Sequence, residues 1–136
     1  MLHNVSRSLE DMLGKAYMDT VQETAVTLLG MDPADMWFDP LCLVIKGMQE
    51  KQVEMLEFIR MLSDMGLNST GGLSNVSNGM PKHVRPIVDS AMIAMAMQAG
   101  LTSAILNPCD QRMMETIKSC DIIKNNFLYA DSFLEM

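Results

Sequence analysis

Aromatic side chains are scarce in this chain, at 5% of 136 residues, with one Trp, two Tyr and four Phe. A core of stacked rings is thereby excluded. Packing falls to aliphatics and to sixteen methionines, whose flexible thioethers fill irregular gaps or form an adaptable partner surface. Cations are short as well, since ten Lys and Arg face seventeen Asp and Glu and leave a formal charge of −7. Tracking a nucleic-acid backbone needs clustered Lys and Arg, so that class of partner is excluded. Only Lys82, His83 and Arg85 gather, enough to meet the anionic tail of a small ligand or to serve as solvated loop charge.

Cysteine is sparse too. Cys42, Cys109 and Cys120 are odd in number, far apart and without a CxxC pair. They make neither a disulfide framework nor a zinc site, no metal site is expected, and a reducing cytoplasm suits them. Long apolar runs are missing: Met1 to Glu10 lacks a signal-peptide core, and Pro86 to Leu106 is broken by Asp89, Gln98 and Gly100. The expectation is a soluble, intracellular protein with no membrane span. No phosphate-cradling loop or dinucleotide fingerprint occurs, His3 and His83 have no triad partner, and Ser74 and Ser77 lack a neighbouring base.

What is present is a repeated order of elements. A mean hydropathy of +0.12 and a hydrophobic fraction of 49% fit one folded domain over residues 1–136. Ser8-Leu9-Glu10-Asp11 reads as a helix start, continued at helical spacing through Leu13, Ala16, Tyr17, Val21, Ala25 and Leu28 to Gly30. Met31-Asp32-Pro33 turns into a strand ending at Asp39. A second helix is predicted over Gln49 to Met65, with Val53, Leu56, Ile59 and Leu62 inward and Gly66 as its stop.

A second strand is predicted from Ser69 to Ser74, then the loop Asn78-Gly79-Met80-Pro81. A third helix follows from about Val84 to Gln98, with Pro86 in its first turn and Gly100 as its stop. The third strand, Ser103 to Leu106, stops at Asn107-Pro108. Asp110 opens a fourth helix to about Lys124, and Phe127 to Met136 closes the chain. The fold class is therefore α/β, with three parallel βα units after an N-terminal helix. Three strands form a small open sheet or part of a barrel, and a complete eight-stranded barrel takes roughly 250 residues.

Each strand is a brief apolar run halted by Asp or Asn. Asp39, Asn75 and Asn107 would project from the same end of the sheet, where parallel α/β proteins build their sites. An Asp there accepts paired hydrogen bonds from an N–H and amino edge such as that of a pterin or guanine ring. An Asn both donates and accepts, so it suits a ring nitrogen whose protonation changes. Capping the following turn is the alternative use of Asp39 and Asn107, each of which precedes a Pro. Gly71, Gly72 and Ser74 keep the Asn75 loop small, which permits close ligand approach.

Four segments, Phe38-Asp39-Pro40-Leu41, Gly72-Leu73-Ser74-Asn75-Val76-Ser77, Ala94 to Leu101 and Tyr129-Ala130-Asp131-Ser132-Phe133, resemble the C-terminal half of methyltetrahydrofolate:corrinoid protein methyltransferases. These are pterin-binding TIM barrels related to dihydropteroate synthase. The resemblance runs from about Tyr17 to the end and is most specific in Gly72 to Ser77. It implies a half TIM barrel and transfer of a methyl group from N5 of methyltetrahydrofolate to the cobalt of a corrinoid (cobalamin) on a partner protein.

By that resemblance Asp39 anchors the pterin and Asn75 hydrogen-bonds near N5 as the catalytic residue. Arg85 matches the family's Arg after this loop, and Ser74 and Asn107 border the substrate. The family's remaining pterin contacts come from earlier strands. An open half-barrel would expose strand edges, so self-association or a complementary half-barrel chain is expected. The alternatives are a non-catalytic half-barrel that binds a pterin or a corrinoid protein, and a truncated structural homologue.

Overall fold

The computed structural model describes residues 14–134 and divides the chain into two compact units, 1–36 and 37–136. The predicted cap at Ser8 and Asp11 lies outside the described residues. In the first unit a helix over 14–23 (α1) runs into a π-helical turn at Thr24–Leu28. Met18 and Ala25 are its buried positions, whereas Tyr17 and Leu28 are exposed. Of the residues read as keeping helical spacing, Ala25 is buried, while Tyr17 and Leu28 lie outside the buried stripe. Met18 and Ala25 sit seven residues apart, two helical turns, while the π turn changes the register from Thr24 onward. A 3₁₀ turn at Pro33–Asp35 follows, capped by the Asp32 carboxylate, which accepts from the Ala34 N–H at 2.9 Å.

The second unit holds a three-stranded parallel sheet, β1 (Trp37–Phe38), β2 (Asn68–Gly72) and β3 (Ser103–Ile105), in the spatial order β1-β2-β3. Helix α2 (Lys51–Asp64) connects the first pair and α3 (Arg85–Ala99) the second; α4 (Gln111–Ile123) and a short α5 (Asp131–Leu134) follow. Each strand is added beside its predecessor, the winding of a barrel, and the sheet is not closed. The α/β class and the partial-barrel topology expected from the element order are the ones found.

The sheet's two faces differ. Register pairs Trp37 with Asn68, Thr70 with Ser103 and Gly72 with Ile105, so these six share one side. There Trp37 is 52% and Ile105 70% exposed. The opposite side carries Ser69 and Gly71, both buried. Helix α2 packs on β2 and α3, and α3 packs on α4. The core gathers Met55, Ile59, Leu73, Val76, Ile93 and Ala96. Burying the Met, Ile, Leu and Val side chains stabilises by about 1.5–3 kcal/mol each, which holds the helices on that one face.

Strand β2 and helix α2 each depart from expectation. Strand β2 ends at Gly72 rather than Ser74, and Leu73–Ser77 form a 3₁₀ turn. Leu73 and Val76, three apart, both point into the core, which a two-residue alternation cannot do. On α2 the buried stripe is Gln52, Met55, Ile59 and Leu62, and Val53 lies outside it. Gln52 goes inward with its amide nitrogen, Nε2, donating to the Leu43 and Met48 carbonyls at 3.0 and 3.3 Å. Elsewhere the local chemistry holds as read. Pro86 sits in the first turn of α3, and Asp110 caps α4 by accepting from the Met113 N–H at 3.1 Å. Gly100 ends α3 at φ 108°, where a Cβ would overlap the Ser63 side chain.

Candidate functional site

The three strand-end residues stand at the C-terminal ends of three adjacent strands, and all three are exposed. Asp39 directly follows β1. One of its oxygens, Oδ1, accepts the Leu41 N–H at 2.8 Å, which closes an Asx turn around Pro40. Leu41 is held at φ 57°, a left-handed conformation that costs a residue with a Cβ about 1–2 kcal/mol. Asn107 repeats the device after β3, where its Oδ1 accepts the Cys109 N–H at 3.1 Å. The turn-capping use of both residues is therefore present, and in each only part of the side chain's hydrogen-bonding capacity is taken.

Asn75 is held differently. It lies on the 3₁₀ turn Leu73–Ser77, which is anchored from below by Leu73, Val76 and Ser77, all fully buried. Its Oδ1 accepts from Asn78 Nδ2 at 3.4 Å. Its Nδ2 lies 3.3 Å from the point where a Cβ on Gly72 would stand. A Cβ on Gly71 would instead meet Pro40 Cγ at 3.6 Å. The two glycines thus seat the Asp39–Pro40 turn and the Asn75 carboxamide against consecutive residues of β2. Below Gly72 on the open face, Thr70 Oγ1 and Ser103 Oγ are 3.5 Å apart. A flat ligand on this face would meet hydroxyls, a bare Gly72 backbone and the Asn75 amide.

Arg85 is half-buried at the start of α3. Its Nε donates to Ser77 Oγ at 3.0 Å and its Nη2 to Asn78 Oδ1 at 3.3 Å. Both contacts are with the Asn75 turn. Ser74 is half-buried on that turn, and its carbonyl accepts from Ser77 Oγ at 3.5 Å. Sequence reasoning missed Asn78 and the role of Ser77. The usable signal was the spacing of Asn75 and Asn78, three apart, which a 3₁₀ turn brings to one side.

Under the turn, the Cys42 thiol approaches the Leu73 carbonyl at 3.8 Å. Burial pushes its pKa up, and the charges of Asp39 and Asp89 add to this against a backbone hydrogen bond at Val76. A cleft of 230 Å³ lies between Pro40–Leu43 and α2, lined by Lys51, Glu54, Met55 and Phe58 as well; none of Asp39, Asn75 or Asn107 lines it. Among the described residues, no three His, Cys, Asp or Glu side chains are grouped to hold a metal ion, and no helix is long and apolar enough to cross a membrane.

Residues 9–107 match the sequence profile of the pterin binding enzymes. The chain belongs to the pterin-binding enzyme family. The matched span contains β1, β2 and β3, and with them Asp39, Ser74, Asn75, Arg85 and Asn107. In this pterin-binding enzyme chain the exposed polar strand ends and the open sheet face form one candidate ligand surface.

Proposed function

We propose that this chain supplies the ring-holding and leaving-group side of a methyltransferase that moves a methyl group from N5 of methyltetrahydrofolate to the cobalt of a corrinoid on a partner protein. The N5–methyl bond breaks with its electron pair left on nitrogen, so a donor at N5 must strengthen its hydrogen bond as the methyl departs. Asn75 is the catalytic residue in this reading. The observation that carries it is the position of Asn75 Nδ2 over the bare backbone of Gly72, at the C-terminal end of the middle strand. Asp39 accepts the N–H and amino edge of the pterin with the lone pairs left over from its turn. Ser74 and Asn107 border the ring, and Arg85 supports the substrate pocket through its contacts with Ser77 and Asn78.

Three strands do not close a barrel, so the proposal includes further strands from a second copy or from a complementary half-barrel chain. Titration calorimetry with methyltetrahydrofolate tests the ligand, and absence of heat up to millimolar concentrations would sink it. In a completed barrel Asn75→Ala should abolish methyl transfer to the corrinoid protein; unchanged turnover refutes its role. Native mass measurement tests completion, since a monomer under binding conditions excludes it by association. The open sheet favours one second reading, a half-barrel that binds the pterin without catalysis. Ligand heat with no transfer after completion would select that reading.

A further inference from the structure

We infer that Arg85 and Asn78 are positioning residues that dictate which end of the Asn75 carboxamide faces the ligand. The inference rests on the reading of Asn75 given above and deepens it. A guanidinium has five donors and no acceptor. The atom of Asn78 that faces Arg85 Nη2 at 3.3 Å is therefore its oxygen. That choice turns Asn78 Nδ2 toward Asn75, 3.4 Å from its Oδ1. Polarity is passed along in one direction, from a group that can only donate. Asn75 is left with its NH₂ to present, over Gly72.

The origin of the relay is itself fixed. Arg85 Nε donates to Ser77 Oγ at 3.0 Å, and that buried hydroxyl accepts from Arg85 while donating to the Ser74 carbonyl at 3.5 Å. Ser77 is fully buried in the same turn that carries Asn75, and Arg85 is set by the first turn of α3. An Asn without such a relay presents either end of its amide to a ligand. Here the opposite orientation would set the NH₂ groups of Asn75 and Asn78 against each other and leave a donor unpaired.

The chemical consequence is a selectivity. A locked donor recognises a ring nitrogen with a free lone pair, or one gaining electron density as its substituent leaves. It disfavours a protonated N–H⁺ at that point, which needs an acceptor. Arg85 thus acts through Asn78 and Asn75 and not by touching the ligand.

Asn78→Asp tests this directly. Aspartate keeps an oxygen for Arg85 but offers only oxygens to Asn75, so the Asn75 amide should invert and present Oδ1. In the ligand-free full chain, the nuclear Overhauser contact between the Asn75 side-chain NH₂ and the Gly72 Hα should be present in the wild type and lost in Asn78→Asp. Its persistence in a folded variant overturns the proposal. Asn78→Ala, which frees the amide without reversing it, should weaken that contact by about half, and full retention again overturns the proposal.

Calorimetry with methyltetrahydrofolate should show affinity reduced about tenfold by Asn78→Asp and less by Asn78→Ala. In an Asn75→Ala background Asn78→Asp should have no further effect; an equal loss there would mean direct contact of residue 78 with ligand and would overturn the relay. No heat with the wild type refutes the pterin reading alone, because the Overhauser contacts still decide the relay.

Discussion

Asn75 and Asn107 carry the same side chain at the ends of neighbouring strands, yet the molecule uses them in different ways. Asn107 folds back on its own backbone and accepts the Cys109 N–H, a self-contained turn that needs nothing else from the fold. Asn75 is fixed by side chains drawn from two elements, on a turn whose underside is the hydrophobic core. The difference teaches that residue type and strand-end position do not by themselves define a site. What distinguishes Asn75 is that its Oδ1 accepts from another side chain, that of Asn78, and not from its own following backbone.

The largest expected effect tests the core beneath the turn. Leu73→Ala should destabilise the chain by about 3 kcal/mol, read as a shifted denaturant midpoint, because a fully buried Leu leaves a cavity. The matching Leu106→Ala at the Asn107 end removes a half-buried side chain and should cost about 1 kcal/mol. Equal losses would erase the contrast. Gly72→Ala comes next. At φ −80° alanine is unstrained, but its Cβ crowds Asn75 Nδ2 at 3.3 Å, so methyltetrahydrofolate affinity should fall about tenfold with stability within about 0.5 kcal/mol of wild type.

Asn107→Ala should instead lower stability by about 0.5–1 kcal/mol through its lost turn, with a smaller loss of affinity than Asn75→Ala. If affinity fell as far as for Asn75→Ala, the two ends would be equivalent. The smallest effect separates two thiols. Cys42 lies buried under the Asn75 turn, and Cys109 lies exposed in the Asn107 turn. A thiol reagent at pH 7.5 should label Cys109 quickly and Cys42 only on unfolding.

Burial holds the Cys42 proton above the pH at which the unfolded chain releases it. That stabilising contribution is complete below about pH 8.5 and is lost as pH rises through the raised folded value. Denaturation at pH 7 and pH 9.5 should show the fall in the wild type and a smaller fall in Cys42→Ala.

Much of the fold was legible because its punctuation is local. Pro86, Gly100 and Asp110 each act within one turn of chain, and all three behave as their chemistry requires. The same locality made Asp39 and Asn107 readable as turn residues. The Leu73–Ser77 turn was harder, since a five-residue segment with two buried apolar positions resembles a strand tail until the core is known. Gln52 was missed for the reason that misleads any apolar stripe, namely that its partners are carbonyls on the preceding loop. The Arg85–Asn78 contact spans seven residues and two elements, and no periodicity announces it.

One consequence of the paired glycines concerns how the gene can change. Gly71 answers to Pro40 on the covered face, and Gly72 answers to Asn75 on the open one. Inserting or deleting a single codon between Asn68 and Gly71 would exchange these partners and turn Ser69 outward. A two-codon change would restore the alternation. Length in this strand is therefore permitted only in even steps, and variants sampled from a library of insertions should survive with that parity.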